Sequence, residues 1–262
     1  RRYQPVIEES PSTLLPSRLR STLFEIAVGI GTHLDYYSAG TVKFLVDESL
    51  HFYFIGMNTC LPIAHAITEE TTGFDLVRWQ IMVAEGFPLT DMDVYPAGHA
   101  IEARIYAEEP SNNFQSSSGE ILHWREPAEV RVDSGIRDGD VISENYDPLL
   151  AKVTAYGEHR QGAIRRLDYA LSQFQILGIN SNIDFLRRIL MHPEHLEGNV
   201  TTDFIMQHPE LITDELPIPV SVWIAAAIAK SQSSNTQNPI GELSQHYFKH
   251  KHFIGKQYQS SG

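Results

Sequence analysis

This 262-residue sequence predicts an α+β fold with an antiparallel sheet flanked by helices. Three observations carry that reading. Residues 100–107 (AIEARIYA) alternate Ile101, Ala103 and Ile105 with Glu102, Arg104 and Tyr106, a period of two that gives a strand one apolar and one polar face. Leu19, Leu23, Ile26, Ala27, Ile30 and Leu34 recur at helical spacing. The strand-like runs sit close together across short turns while the helical runs stand apart, the order of an α+β chain with an antiparallel sheet.

Taken in order, residues 17–34 read as an amphipathic helix. Residues 41–46 and 52–55 read as strands joined by a turn around residues 47–50. Phe74, Val77, Ile81 and Ala84 mark a helix closed by Gly86. After the alternating strand, further strands are expected near residues 121–124, 129–132 and 150–156. Ile164, Leu167, Ala170, Leu171 and Phe174 then give a long helix, and Ile183, Leu186, Ile189 and Leu190 a shorter one. The character changes near Thr213. Pro217 and Pro219 punctuate the chain, residues 220–230 form an Ala-rich helical run, and residues 231–239 (SQSSNTQNP) are polar and linker-like.

Composition narrows the function classes. The apolar fraction of 42% is that of a globular protein able to bury a core without staples. A formal charge of −13, with no basic stripe, argues against nucleic-acid binding. The single cysteine excludes an internal disulfide. No apolar run reaches the length of a membrane span, and no signal peptide is visible. The expected setting is the cytoplasm, away from membranes. No phosphate-binding GxGxxG or GxxxxGK[ST] occurs, nor a biotinylation motif of the AMKM type.

The densest motif is residues 52–69, FYFIGMNTCLPIAHAITE. It resembles the biotin carboxylase family, where the run reads close to FYFLEMNTRLQVEHPVTE. Residues 1–12 (RRYQPVIEESPS), 98–119 (GHAIEARIYAEEPSNNFQSSSG), 146–152 (YDPLLAK) and 178–205 (GINSNIDFLRRILMHPEHLEGNVTTDFI) extend the resemblance over residues 1–212. It implies the C-terminal lobe of the ATP-grasp biotin carboxylase domain of acyl-CoA carboxylase alpha subunits, without the nucleotide-binding lobes. Residues 213–262 then form a helical and linker appendage resembling the start of a bridging region.

The frame of the motif matches at Met57, Asn58, Thr59, Leu61, His65, Thr68 and Glu69. The positions that the family uses for chemistry do not. Lys43 and Gly56 stand where the family has metal-binding glutamates, Cys60 replaces an anion-clamping arginine, Pro62 a glutamine, and Ala64 the general base. Mg²⁺ needs oxygen ligands, and Lys43 supplies a cation instead. Two like charges about 4 Å apart at an effective dielectric of ~20 repel by about 4 kcal/mol. Pro62 also lacks a backbone donor, and loss of a general base commonly costs roughly 10²- to 10⁴-fold. Most frame and core positions stay intact beside these changes, although Ala66 stands at a family proline, a pattern read as scaffold retained and old chemistry released.

Two functions remain open. One is a repurposed small-molecule protein, a cofactor-free cyclase, isomerase or lyase of specialised metabolism. Its catalytic candidates are Arg104, whose family equivalent stabilises the biotin enolate, and His65. Its binding candidates are Lys43, Asn58, Cys60, Ile63, Tyr106 and Asp147, with Arg104 bordering a cavity also lined by Asn58, Cys60 and Ile63. The other is a non-catalytic scaffold or regulatory subunit of an acyl-CoA carboxylase, for which Arg104 is a structural ion-pair residue with Asp147 as candidate partner. The implied partners are a small molecule, a second copy of the chain or a carboxylase subunit. No cofactor and no metal are expected. In the tail, His246, His250 and His252 have ligand-like spacing, but Lys249 and Lys251 disfavour a cation there.

Overall fold

The computed structural model describes residues 4–89, 94–212 and 220–233. Pro217, Pro219, the polar run 234–239 and the tail histidines His246, His250 and His252 lie outside the described residues. The chain opens with β1 (Ile7–Ser10) and α1 (Ser17–His33), followed by the hairpin β2 (Thr41–Val46) and β3 (Phe52–Asn58). Asp47 closes the hairpin turn: its backbone carbonyl accepts from Leu50, and its carboxylate accepts from the His51 amide at 2.8 Å. Two helices follow, α2 (His65–Thr72) and α3 (Leu76–Ala84). Gly73 ends α2 with φ +73°, a left-handed conformation natural to glycine. The Asp75 side chain caps α3 by accepting from the Arg78 amide at 2.8 Å.

The alternating strand is β4 (His99–Tyr106). After it come the short strands β5 (Glu108–Glu109), β6 (Gln115–Ser116), β7 (Gly119–Glu120), β8 (His123–Arg125), β9 (Arg131–Ser134) and β10 (Val141–Ile142). The long strand β11 (Leu149–Gly157) leads into α4 (Arg160–Gln173), β12 (Gln175–Leu177), α5 (Ile183–Leu190), α6 (Pro193–Glu197) and α7 (Phe204–Gln207). The Ala-rich run forms α8 (Val220–Ser233).

The central sheet is antiparallel throughout, in the order β1-β4-β11-β9. Its register decides what meets on each face. Val153 lies opposite Ala103 and Val132, so these small apolar side chains share one face. Ile101 and Ile105 join them, and α4 and α5 close over this face with Ile164, Leu167, Leu171, Phe185, Leu186 and Leu190. Lys152 lies opposite Arg104 and Asp133, and Thr154 opposite Glu102 and Arg131, so the other face is polar.

That polar face departs from the sequence reading in one respect. An alternating strand ordinarily leaves its polar side in water, yet all eight residues of β4 are buried. The cause is α2, which packs on β4, β1 and β11 and covers the polar side. A second departure concerns α1. Its helical apolar stripe is present, but only Leu23 is buried, and Phe24 and Val28 are exposed.

Gly178 follows β12 with φ +107°, and a Cβ there would run into the carbonyl oxygen of Glu120 and lie 3.0 Å from the Leu122 amide. Backbone lies on both sides, so nothing can rotate away. Gly178→Ala is expected to lower unfolding stability by more than about 1 kcal/mol, because the strain adds to the lost positive-φ freedom. Urea titration of the two proteins checks this, with an unchanged midpoint as the contrary result.

Candidate functional site

The polar face of the sheet carries a network of paired charges. Arg104 donates from Nη2 to the carboxylate of Glu8 on β1. The Lys152 ammonium is surrounded by three acceptors: the Ile63 carbonyl at 2.8 Å, Asp133 Oδ2 at 3.2 Å and Glu102 Oε2 at 3.7 Å. Arg131 joins Asp133 at 3.2 Å to Glu69 of α2 at 2.6 Å. The second carboxylate oxygen of Glu69 accepts from the Leu76 amide at 2.7 Å and so ties α3 to the same network. The register sets like charges opposite one another, Glu102 against Glu8 and Lys152 against Arg104, and it is the ion pairs Arg104–Glu8, Lys152–Asp133 and Arg131–Glu69 that permit these charges to be buried.

Glu102 is the exposed weakness of the network, though it is itself fully buried. It lies directly opposite Glu8, and no described group hydrogen-bonds to its Oε1. Burial raises its pKa and Glu8 adds to the rise; against the opposing pull of Lys152, the Thr154 hydroxyl at 3.1 Å and Arg104, the net value is about 7. For Arg104, burial works against the charge, but Glu8 and Tyr106 outweigh it and hold the guanidinium pKa above its ordinary value. For Asp133, burial opposes ionisation but is outweighed by Arg131 and Lys152, so its carboxyl sits below the usual range.

The candidate side chains fall in several separate places. Lys43 and Asn58 are exposed on the β2–β3 hairpin, where Lys43 is paired with Gly56 and Asn58 with Thr41. Lys43, Gly56 and Asn58 thus share one face of the ribbon. A Cβ at Gly56 would meet nothing within 4 Å, so packing does not demand glycine there. Cys60 is exposed on the loop that follows. Ile63 and His65 lie further along, at the groove described next. Arg104 and Tyr106 lie beneath, buried in the sheet.

A groove of about 420 Å³ runs between that loop and the sheet, lined among others by Pro62, Ile63, His65, Asp133 and Lys152. The His65 ring is engaged with its own loop, Nδ1 lying 2.9 Å from the Pro62 carbonyl oxygen. Arg104, Asn58 and Cys60 do not line this groove, so it does not group these three with Ile63 as expected. The reason is the ion pair with Glu8, which draws the guanidinium toward β1. Asp147 is not the partner of Arg104 either. It is exposed, and its carboxylate accepts from the Leu149 amide at 2.8 Å in a local turn. Tyr106 is held from above, its amide donating to Asn182 Oδ1 at 2.9 Å.

Lys152 and Asp133 escaped the sequence reading as site residues. Lys152 ends the YDPLLAK run and shares the alternation of β11, but its partners come from residues 63, 102 and 133, which no local spacing relates. Glu8 was hidden in the same way, 96 residues from Arg104.

Residues 102–207 match the biotin carboxylase C-terminal domain, and residues 1–92 match the ATP-binding domain of the carbamoyl-phosphate synthase L chain. The chain belongs to the biotin carboxylase family. Methylcrotonoyl-CoA carboxylase subunit alpha of Mus musculus is 45% identical over 213 residues, 79% of this chain and 30% of that protein. The Arabidopsis thaliana protein of the same name is 44% identical over 82% of this chain and 30% of its own length. The biotin carboxylase domain of Hydrogenobacter thermophilus 2-oxoglutarate carboxylase superposes with a TM-score of 0.80 at 34% identity, covering 82% of this chain and 49% of that one. The chain therefore spans about a third of the curated relatives it matches. No described helix is long and apolar enough to cross a membrane.

In this biotin carboxylase relative, Arg104 and Glu102 are open to direct test. Arg104→Ala is expected to cost about 3 kcal/mol in urea unfolding, since it strands a part-buried Glu8. Adding Glu8→Ala is expected to return most of that loss, and two fully additive losses would deny the coupling. Glu102 binds its proton more tightly folded than unfolded, so its contribution is complete below pH 4.5 and is lost as pH rises through about 7. Stability of the natural protein relative to Glu102→Gln should therefore fall over this window, by up to about 3 kcal/mol. Paired unfolding curves at pH 4.5 and 8 measure it, and a constant difference would refute it.

Proposed function

We propose that this chain is a member of the biotin carboxylase family without ATP-dependent carboxylation at its own site, and that it acts as a non-catalytic scaffold or regulatory subunit of an acyl-CoA carboxylase. The observation that carries this is the commitment of Arg104 to Glu8, together with the residues at the five altered positions. Lys43, Gly56, Cys60, Pro62 and Ala64 supply neither metal carboxylates, nor an anion clamp, nor a base. Arg104 and Lys152, the nearby cations, are already held by carboxylates and a carbonyl. The Hydrogenobacter domain is described in complex with MgADP and bicarbonate. A chain with these five residues lacks the groups that such chemistry asks for.

The scaffold reading also draws on what stays exposed. Phe52, Tyr53, Phe54 and Ile55 on β3, with Phe24 and Val28 on α1, present apolar surface of the kind that partners cover. Residues 1–212 form the lobe in this reading, and residues 213–262 its appendage. The mouse and Arabidopsis relatives are carboxylase alpha subunits and mitochondrial by description. The assembly to which this chain belongs decides its compartment, and the cytoplasmic expectation is checked by imaging the tagged chain.

A second reading rests on the groove. Its volume of about 420 Å³ is in the range of small-molecule sites, and Ile63 and His65 line it beside Lys152. A cofactor-free cyclase, isomerase or lyase would use His65 and Ile63 there; Lys43, Asn58, Cys60, Arg104, Tyr106 and Asp147 are not among its lining residues.

ATP·Mg with bicarbonate is expected to leave the melting temperature unchanged and to show no bicarbonate-dependent ATP hydrolysis. A bound ligand at a hundredfold excess over its Kd would add about 2.7 kcal/mol. A saturable rise would overturn the non-catalytic reading. Stoichiometric co-purification with a carboxylase subunit supports the scaffold. A monodisperse, partner-free chain that binds a metabolite in the groove favours the second reading.

A further inference from the structure

Outside the groove, one cluster of side chains is arranged like a metal centre. His192 precedes α6, His208 follows α7, and Glu210 lies in the 3-10 turn Pro209–Ile212. One ligand atom from each lies within 4.8 Å of the other two. His208 Nδ1 is 2.9 Å and His192 Nε2 3.8 Å from Glu210 Oε1. Tetrahedral Zn²⁺ with bonds of about 2.0–2.1 Å sets its ligand atoms roughly 3.3 Å apart. The two distances straddle that value, so shifts of about half an ångström would close the site.

Two further contacts mark this as more than a surface ion pair. His208 Nε2 lies 3.1 Å from Glu194 Oε1. A metal-binding histidine ordinarily donates its second N–H to a carboxylate, which fixes the tautomer and orients the ring, and Glu194 is placed for that role. His192 Nδ1 is buried with no hydrogen-bond partner among the described residues, and its Nε2 is too far from Glu210 for a hydrogen bond. That ring is nevertheless held, tilted against His208 at 4.2 Å and edge-on to Phe204 at 5.1 Å. Its Nε2, 3.8 Å from Glu210 and without a hydrogen bond to it, is held in place to take a cation between them.

We propose that His192, His208 and Glu210 bind one divalent transition-metal ion of the zinc class, with Glu194 orienting His208. Two imidazoles and a carboxylate are the donor set for such an ion. Binding replaces the proton shared between His208 Nδ1 and Glu210 with the metal, and that proton leaves to solvent. The site clips α6 to the end of α7 and the following turn, so it stabilises the last part of the lobe. Sequence spacing hid it, since residues 192 and 208 are far apart and the close pair His208 and Glu210 is not by itself a metal motif.

Titration of the full chain with Zn²⁺ alone, followed by calorimetry and thermal melting, tests the proposal. One equivalent should bind with a saturable rise in melting temperature, and Co²⁺ should give the visible absorption of a low-coordinate nitrogen and oxygen site. Glu210→Ala, at an exposed position, and His192→Phe, which keeps a ring against Phe204, should each weaken binding at least tenfold while the metal-free proteins still fold cooperatively. A triple alanine variant at His246, His250 and His252 should bind as the natural chain does. No binding, or binding lost with the tail histidines and kept in Glu210→Ala, would overturn the proposal and leave a doubly paired histidine between two glutamates.

Discussion

Lys152 sits at the centre of a charged layer on which the arrangement of this lobe depends. Its ammonium joins the loop at Ile63, the central strand at Glu102 and the edge strand at Asp133. Arg131 continues the layer to Glu69 and so to α2 and α3, and Arg104 continues it to Glu8 on the opposite edge. A sheet face covered by a helix is ordinarily filled with apolar side chains. Here it is filled with charges, and the desolvation cost is tolerable because Arg104, Lys152 and Arg131 each reach a carboxylate, even where the register sets like charges opposite one another. Taking away one partner strands the next, so the members stand or fall together.

That interdependence explains which residues of a carboxylase lobe persist in this chain and which do not. Glu69, Arg104 and Lys152 are members of the layer. Lys43 and Cys60 stand in water on the hairpin and its following loop, and Gly56 has open space beside it. Surface substitutions away from special backbone or packing features usually change stability by no more than about 0.5 kcal/mol. Lys43, Gly56 and Cys60 therefore lie where the fold exerts little hold, while the sheet beneath them is locked by buried charge. Change at these three positions and retention of the scaffold are compatible for this physical reason.

The groove and the histidine cluster occupy opposite logical positions in the molecule. The groove borders the charged layer, so its cations are already engaged and its walls are set by contacts that stabilise the fold. The cluster at His192, His208 and Glu210 lies beyond the apolar face, where α5, α6 and α7 end, and the charged layer does not include it. Binding there can change without disturbing the sheet.

The sequence by itself determined the family, the α+β class and most of the elements. Period-two alternation in β4 and helical spacing in α4 and α5 are local signals, and dense motif runs are local too. It also set which residues stand at the five positions, Lys43, Gly56, Cys60, Pro62 and Ala64, because residue identity is read directly from the chain. Tertiary structure decided the partners. Whether Arg104 faced a cavity, Asp147 or Glu8 depended on the pairing of β1 with β4 across 96 residues. Whether the polar face of β4 was solvated depended on where α2 came to rest. The charge state of Glu102 depended on both. Long-range register and burial are properties of the assembled sheet, and spacing along the chain does not encode them one residue at a time.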